Sequence, residues 1–186
     1  ETPSLPIAQP VDMLSTQEGT SGNKIDMKTD VAITLDDTTA NLANLKIIEE
    51  GTGGLVTATS VTDATGSAAE AGAVFGAEGT SGNKINMKTD VTITIDEAGA
   101  NLADLKAAAD GTGGLVTATA VTAASGSISE AVDMLSTQEG TSGDKIDMKT
   151  DVAITLDSTA ANLANLKIIA DGTGGLVTAT AVTAAS

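Results

Sequence analysis

The chain has 186 residues, with nine Lys, no Arg and 25 acidic side chains, a formal net charge of −16. It contains no His, Cys, Trp or Tyr, and Phe75 is its only aromatic residue. These absences exclude imidazole acid–base catalysis, thiolate chemistry and thiolate-bound zinc. They also remove any stacking platform for bases, and the acidity repels a phosphate backbone. Neither an enzyme nor a nucleic-acid partner is expected.

Apolar residues make up 41% of the chain, enough to form a core. That core must be built from Ala, Val, Leu, Ile and Met, whose side chains each bury little area. A thin core repeated many times suits such a composition better than one large globule. No apolar run reaches the roughly 18 residues of a membrane span, so membrane insertion is not expected. Acidity, abundant Thr, Ser, Gly and Ala, and the lack of cysteine suit an extracellular or cell-surface location.

Residues 1–10 hold the only three prolines and read as an extended N-terminal arm. From residue 11 the chain repeats itself. Gly19-Thr20-Ser21-Gly22 returns at Gly79-Thr80-Ser81-Gly82 and again at Gly140-Thr141-Ser142-Gly143, a period of about 60 residues. Residues 11–65 match 132–186 with only eight differences. The copies are taken as 11–65, 66–125 and 126–186. The middle one diverges, with Ala73-Val74-Phe75-Gly76 set opposite Val132-Asp133-Met134-Leu135.

Each copy opens on a helix. Ser67 with Glu70, and Ser127 with Glu130, have capping-box spacing, and Ile128, Ala131, Val132 and Leu135 form one apolar stripe. A strand should follow: Ile25, Met27, Thr29, Val31, Ile33 and Leu35 alternate strictly, as do Ile85–Ile95 and Ile146–Leu156. Asp26, Lys28 and Asp30 then occupy its wet face. A second helix carries Leu163, Leu166 and Ile169, repeated as Leu42, Leu45 and Ile48. Asp157 or Ser158 is its expected cap and Gly172 its stop. Gly51-Thr52-Gly53-Gly54, Gly111-Thr112-Gly113-Gly114 and Gly172-Thr173-Gly174-Gly175 each follow a G-T-S-G turn at the same distance, which marks a half-period. The β-branched strand Leu55–Thr59 comes next.

Units of about 30 residues, each a helix, a turn and a strand, predict an α/β repeat fold. In it, strand-turn-helix units stack like a solenoid with mainly parallel strands. Helices need roughly 8–10 Å against about 4.8 Å for strands. Consecutive helices are therefore expected on opposite sides, to keep the array straight. The alternative is a string of independent α+β beads with Thr122–Ser127 as linker, each bead only marginally stable at this size.

The acidic positions are the candidate ligands. Asp26, Asp30, Asp36 and Asp37 correspond to Asn86, Asp90, Asp96 and Glu97, and approximately to Asp147, Asp151 and Asp157. Carboxylates two apart on a strand share a face, and together with loop carbonyls they suit calcium, the one cofactor the chain invites; the alternative is a solvated acidic face. Thr57/Thr59, Thr117/Thr119 and Thr178/Thr180 would form hydroxyl columns in a register-stacked sheet, and such ranks resemble the ice-binding face of repetitive antifreeze proteins. The glycine-rich acidic repeats resemble the calcium-binding arrays of secreted toxins and adhesins. In style, the whole chain from about residue 11 is similar to tandem-repeat segments of long bacterial surface proteins, including large adhesins and haemolysin-type arrays. That resemblance implies an extracellular structural role and permits calcium. Near-identical copies favour a function that scales with length. The expectation is a structural repeat of a filament, sheath or surface layer whose partners are copies of itself. A calcium-stiffened adhesin or other binding module is the alternative.

Overall fold

A computed structural model describes residues 4–17, 28–82, 84–143 and 145–186. In chain order the elements begin with β1 (Ser4–Leu5), α1 (Ala8–Asp12), β2 (Ile33–Leu35), β3 (Thr39–Asn41) and α2 (Leu42–Gly51). Then come β4 (Val56–Ala58), β5 (Asp63–Gly66), α3 (Ala68–Gly76), β6 (Ile85–Met87), β7 (Thr92–Ile95), β8 (Gly99–Asn101) and α4 (Leu102–Gly111). The last stretch holds β9 (Val116–Ala118), β10 (Ala123–Gly126), α5 (Ile128–Asp133), β11 (Ile146–Met148), β12 (Ala153–Leu156), β13 (Ala160–Ala161), α6 (Leu163–Gly172), β14 (Val177–Thr178) and β15 (Ala184–Ala185).

The fold is mixed α/β, and every strand pair among the described residues is parallel. The sheets run β1-β2-β4-β6, β3-β5-β7-β9-β11, β8-β10-β12-β14 and β13-β15. Within each sheet the strands follow chain order. The five-stranded sheet draws β3 and β5 from the first copy, β7 and β9 from the second and β11 from the third. Independent beads are therefore not what forms: the copies share sheets and one continuous core. Thr122–Ser127, expected as a linker, contains β10.

The long alternating strand is broken by a corner. Met87 ends β6 and Thr92 opens β7, with Thr89 and Asp90 in a turn between them. Thr89 keeps the alternation going, which is why the sequence reads through the bend. The helices also depart from expectation. They pack on one another in chain order, α1 on α2 through to α5 on α6, and not on opposite sides. Small residues make this row possible. A Cβ on Gly111 would lie 2.5 Å from Phe75, and one on Gly172 would lie 2.9 Å from Leu135. Gly72 faces Ala107 and Asp104. A helix row laid over closely spaced strands has little room for bulk between helices, which accounts for the scarcity of aromatics.

Phe75 thus sits where Leu135 sits, which shifts the expected alignment of the middle copy by one position. The extra residue of the third copy is absorbed after α5, where Met134–Gln138 widens into a π-helical turn. The same Met-Leu-Ser-Thr-Gln sequence does so at Met13–Gln17, whereas α3 stays α-helical to Gly76. A π-bulge is the usual signature of a single insertion in a helix. Accordingly Val56 pairs with Ile85, while its counterpart Val116 pairs with Ile146, one position later than an unbroken repeat would give.

Both capping boxes form: the Ser67 and Ser127 side chains accept from the Glu70 and Glu130 N–H groups, and each Glu accepts from the Ser N–H. The second helix is capped by Asn41, Asn101 and Asn162, not by Asp157 or Ser158. A short strand intervenes between those acidic corners and the helix. Residues 4–10 are no loose arm. Ser4 and Leu5 pair with Thr34 and Leu35, and Ile7 and Pro10 are buried. They take the place that Ser125–Ala131 takes in the third copy.

Candidate functional site

Asp26 lies outside the described residues. Asp30, Asp90 and Asp151 all occupy the corner turn, each paired with the lysine two positions earlier: Lys28 at 2.9 Å, Lys88 at 2.5 Å and Lys149 at 2.9 Å. The lysine hydrogen bond holds each carboxyl below its ordinary pKa. These pairs are exposed, so they orient the corner more than they stabilise it.

Asp36, Asp96 and Asp157 stand where each sheet passes into the next corner. Their backbone N–H groups donate to Leu5, Gly66 and Gly126, extending the parallel ladder. The Asp36 carboxylate also accepts from Ser4 Oγ at 3.2 Å. The residues beside them have a role the sequence does not announce. Asp37 accepts from the N–H of Ile7, Glu97 from that of Ala68 and Ser158 from that of Ile128. Each acceptor thus caps the helix that begins about 30 residues earlier in the chain, complementing the positive helix end. Only the recurrence of an oxygen-bearing residue at that position hints at it.

Asp147 lies on β11, opposite Thr117 of β9, and its charge adds to the burial that pushes the Glu139 carboxyl up. Among the described residues, no group of three or more carboxylates is placed to hold a metal ion. The predicted ligands that are described are spread over separate corners and one strand: Asp30, Asp90 and Asp151 are each paired with a lysine and Asp36 with a hydroxyl.

The hydroxyl columns form in part. Asn41, Thr65, Thr94, Thr117 and Asp147 line up across one sheet, and Asn101, Ser125, Thr155 and Thr178 across the next. Thr59 and Thr119 fall in turns, outside the strands. The second rank expected at Thr59 and Thr119 therefore does not form, although the five-stranded sheet carries another short polar rank in Thr39, Asp63 and Thr92.

The Gly-Thr-Gly-Gly motifs have a structural task. Thr52, Thr112 and Thr173 are the only buried polar residues among those described. Each hydroxyl donates to the carbonyl of Val31, Val91 or Val152, at 2.5–2.6 Å, and accepts from the N–H two positions on. The next glycine must be bare. A Cβ on Gly54, Gly114 or Gly175 would sit 2.3–2.4 Å from that same carbonyl oxygen. Helix stop and preceding corner are thereby stitched together across the chain. The G-T-S-G turns use glycine differently: Gly82 and Gly143 adopt φ of +69° and +67°, where other residues are strained.

One surface stands out. Leu42 and Leu102 are fully buried, but the equivalent Leu163 is 60% exposed, and Leu176 is 73% exposed. Val56 and Val116 are buried where Val177 is only half-buried. No described helix is long and apolar enough to cross a membrane. Compared with known proteins, the chain matches no family model, no curated protein and no solved structure.

Proposed function

We propose that this is a structural repeat protein of an extracellular filament, sheath or surface layer, built as a solenoid-like stack of strand-turn-helix units. The observation that carries this reading is the continuity of the sheets. Every copy boundary is crossed by parallel strand pairs, so the units bury each other's apolar faces and a further unit can be added without changing those already there. Nothing in the described side chains points to one distinguished copy, as a single catalytic centre would require. The scarcity of aromatics, the repeated threonine stitch and the interlocked caps all serve stacking.

Length in such a protein comes from copy number. The accessible surface of 8788 Å² is close to the roughly 8,100 Å² expected for a compact monomer of this mass. Six steps of about 4.8 Å make only about 29 Å of column. The test is to vary the number of copies and follow the maximum dimension by small-angle scattering. Each added copy, contributing two turns, should lengthen the particle by about 10 Å and raise its thermal stability. A dimension that grows only as the cube root of mass refutes the reading, and so does a single copy as stable as three.

A further inference from the structure

We infer that residues 77–79 and 138–140 are acid-set latches on two sheet edges, closed while Glu78 and Glu139 are protonated and loosened when they ionise. This rests on how two of the sheets end, and not on the structural role proposed above.

β6 and β11 are the last strands of their sheets, where a ladder edge would otherwise lie bare. A short segment running out of the preceding helix covers each one. Glu78 bridges in parallel to Ile85, and Glu139 to Ile146. The N–H of Ile85 donates to Ala77 at 3.2 Å and its carbonyl accepts from Gly79 at 2.9 Å, while the Ile146 carbonyl accepts from Gly140 at 3.0 Å. Behind, each segment is tied to its helix: the Glu78 N–H donates to Phe75 and the Glu139 N–H to Met134. The hold on the sheet is thus confined to one residue of the edge strand. Val56 donates to the carbonyl of Lys84, so Lys84 and Asn86 turn their backbone groups to β4, and the alternate residues Ile85 and Met87 turn theirs outward. Opening the latch frees the outer groups of Ile85 beside those of Met87, which presents a strand edge ready to pair.

The carboxyls stand where a charge is unwelcome. Bridged residues share a face of the sheet, and the rows that lead to Glu78 and Glu139 are Val56–Ile85 and Val116–Ile146, all completely buried. Both glutamates are half-buried at the ends of these apolar rows. Burial alone pushes the Glu78 carboxyl up; for Glu139 burial comes first and the Asp147 charge second. Among the described residues the other charges nearby are engaged elsewhere. Lys145 donates to Thr137 O at 2.8 Å, and Asp110, across from Gln138, is held by Lys106 and by Gln138 itself. Asn86 stands where the third copy has Asp147, and Lys84 makes no ion pair. A carboxyl raised in the closed form favours closure fully below the ordinary value of 4.5. That contribution is lost as pH rises through the raised value.

Amide hydrogen exchange of the full chain, followed by NMR, tests the inference. The reference is the N–H of Ile93, which donates to Leu115 at 3.0 Å in the core and reports global opening. At pH 7 the Gly79 and Gly140 N–H groups should show a loss of protection relative to Ile93. Glu78→Gln should restore protection at Gly79 alone, and Glu139→Gln at Gly140 alone. Asp147→Asn should raise protection at Gly140 and leave Gly79 as it was. With rates corrected for the intrinsic effect of pH, acidification to about pH 5 should slow both glycines in the native chain, and neither in the glutamine variant that matches it. Glycines as well protected as Ile93 at pH 7 overturn the inference, because no local opening then exists. So does a glutamine variant that leaves its own glycine unmoved, or that protects both glycines alike, since the carboxyl would then act on the whole fold.

Discussion

Replacing Thr112 by valine tests the stitch between helix stop and corner. Valine preserves shape and removes only the hydroxyl. In the native chain that hydroxyl donates to Val91 O at 2.6 Å and accepts from Gly114 N at 3.0 Å, in a site 4% exposed. Thr112→Val leaves a carbonyl and an N–H buried without these partners, at about 1.5 kcal/mol each, or about 3 kcal/mol together. For a chain of this length that corresponds to a fall in Tm of about 6–12 °C. Thr112→Ser keeps both bonds and loses one methyl group, about 1 kcal/mol. With no Trp or Tyr, intrinsic fluorescence offers little signal, so unfolding should be followed by circular dichroism at the helix band in urea or on heating. Valine costing less than about 0.5 kcal/mol, or serine costing as much as valine, would refute the reasoning.

Gly114→Ala should destabilise by about 3 kcal/mol or more, because the new Cβ meets backbone that cannot yield; Gly99→Ala, whose nearest neighbour is 4.0 Å away, should stay within about 0.5 kcal/mol in the same urea titration. Ser127→Ala removes a capping box and should lose about 1 kcal/mol, measurable by thermal melting. Glu139 is held above the ordinary value of 4.5 by burial first and by Asp147 second. Its ionisation therefore opposes folding, and its contribution falls as pH rises through the raised pKa. Glu139→Gln should be modestly more stable than the native chain at pH 7, the difference vanishing below about pH 4; equal stability of the two at pH 7 would contradict the shift.

The fold is legible in the sequence where a segment is long enough to show its period. The stripe Leu42, Leu45 and Ile48 is completely buried, and both capping boxes form as their spacing requires. Strands of two to four residues are too short for that signal. β3, β8 and β13 leave no trace of their own because they run directly into helices, and β10 reads as a linker because Ala-Ala-Ser-Gly carries little β-branched character. At the N terminus, proline masks a repeat: Pro6 replaces the Ser cap and Pro10 a buried alanine, so composition suggests an arm where register shows a strand and helix. The site is less legible than the fold. Asp36, Asp37, Asp96, Glu97 and Asp157 all read as ligands, but Asp37 and Glu97, with Ser158, carry the clearer task of capping a helix about 30 residues earlier in the chain. Sequence spacing cannot show a contact of that kind until the turn length is known.

The stagger of the sheets bears on how such a protein would fail under load. The sheet beginning at β3 starts before the one ending at β6 has finished, and β8 starts while the former continues. Seams are offset, as in coursed brickwork. A tear travelling along the end of one sheet runs into paired strands of the next, so no plane of weakness passes between copies. Pulling on such a ply should break it by shearing ladders within the copies, with each rupture confined to the turns that carry it.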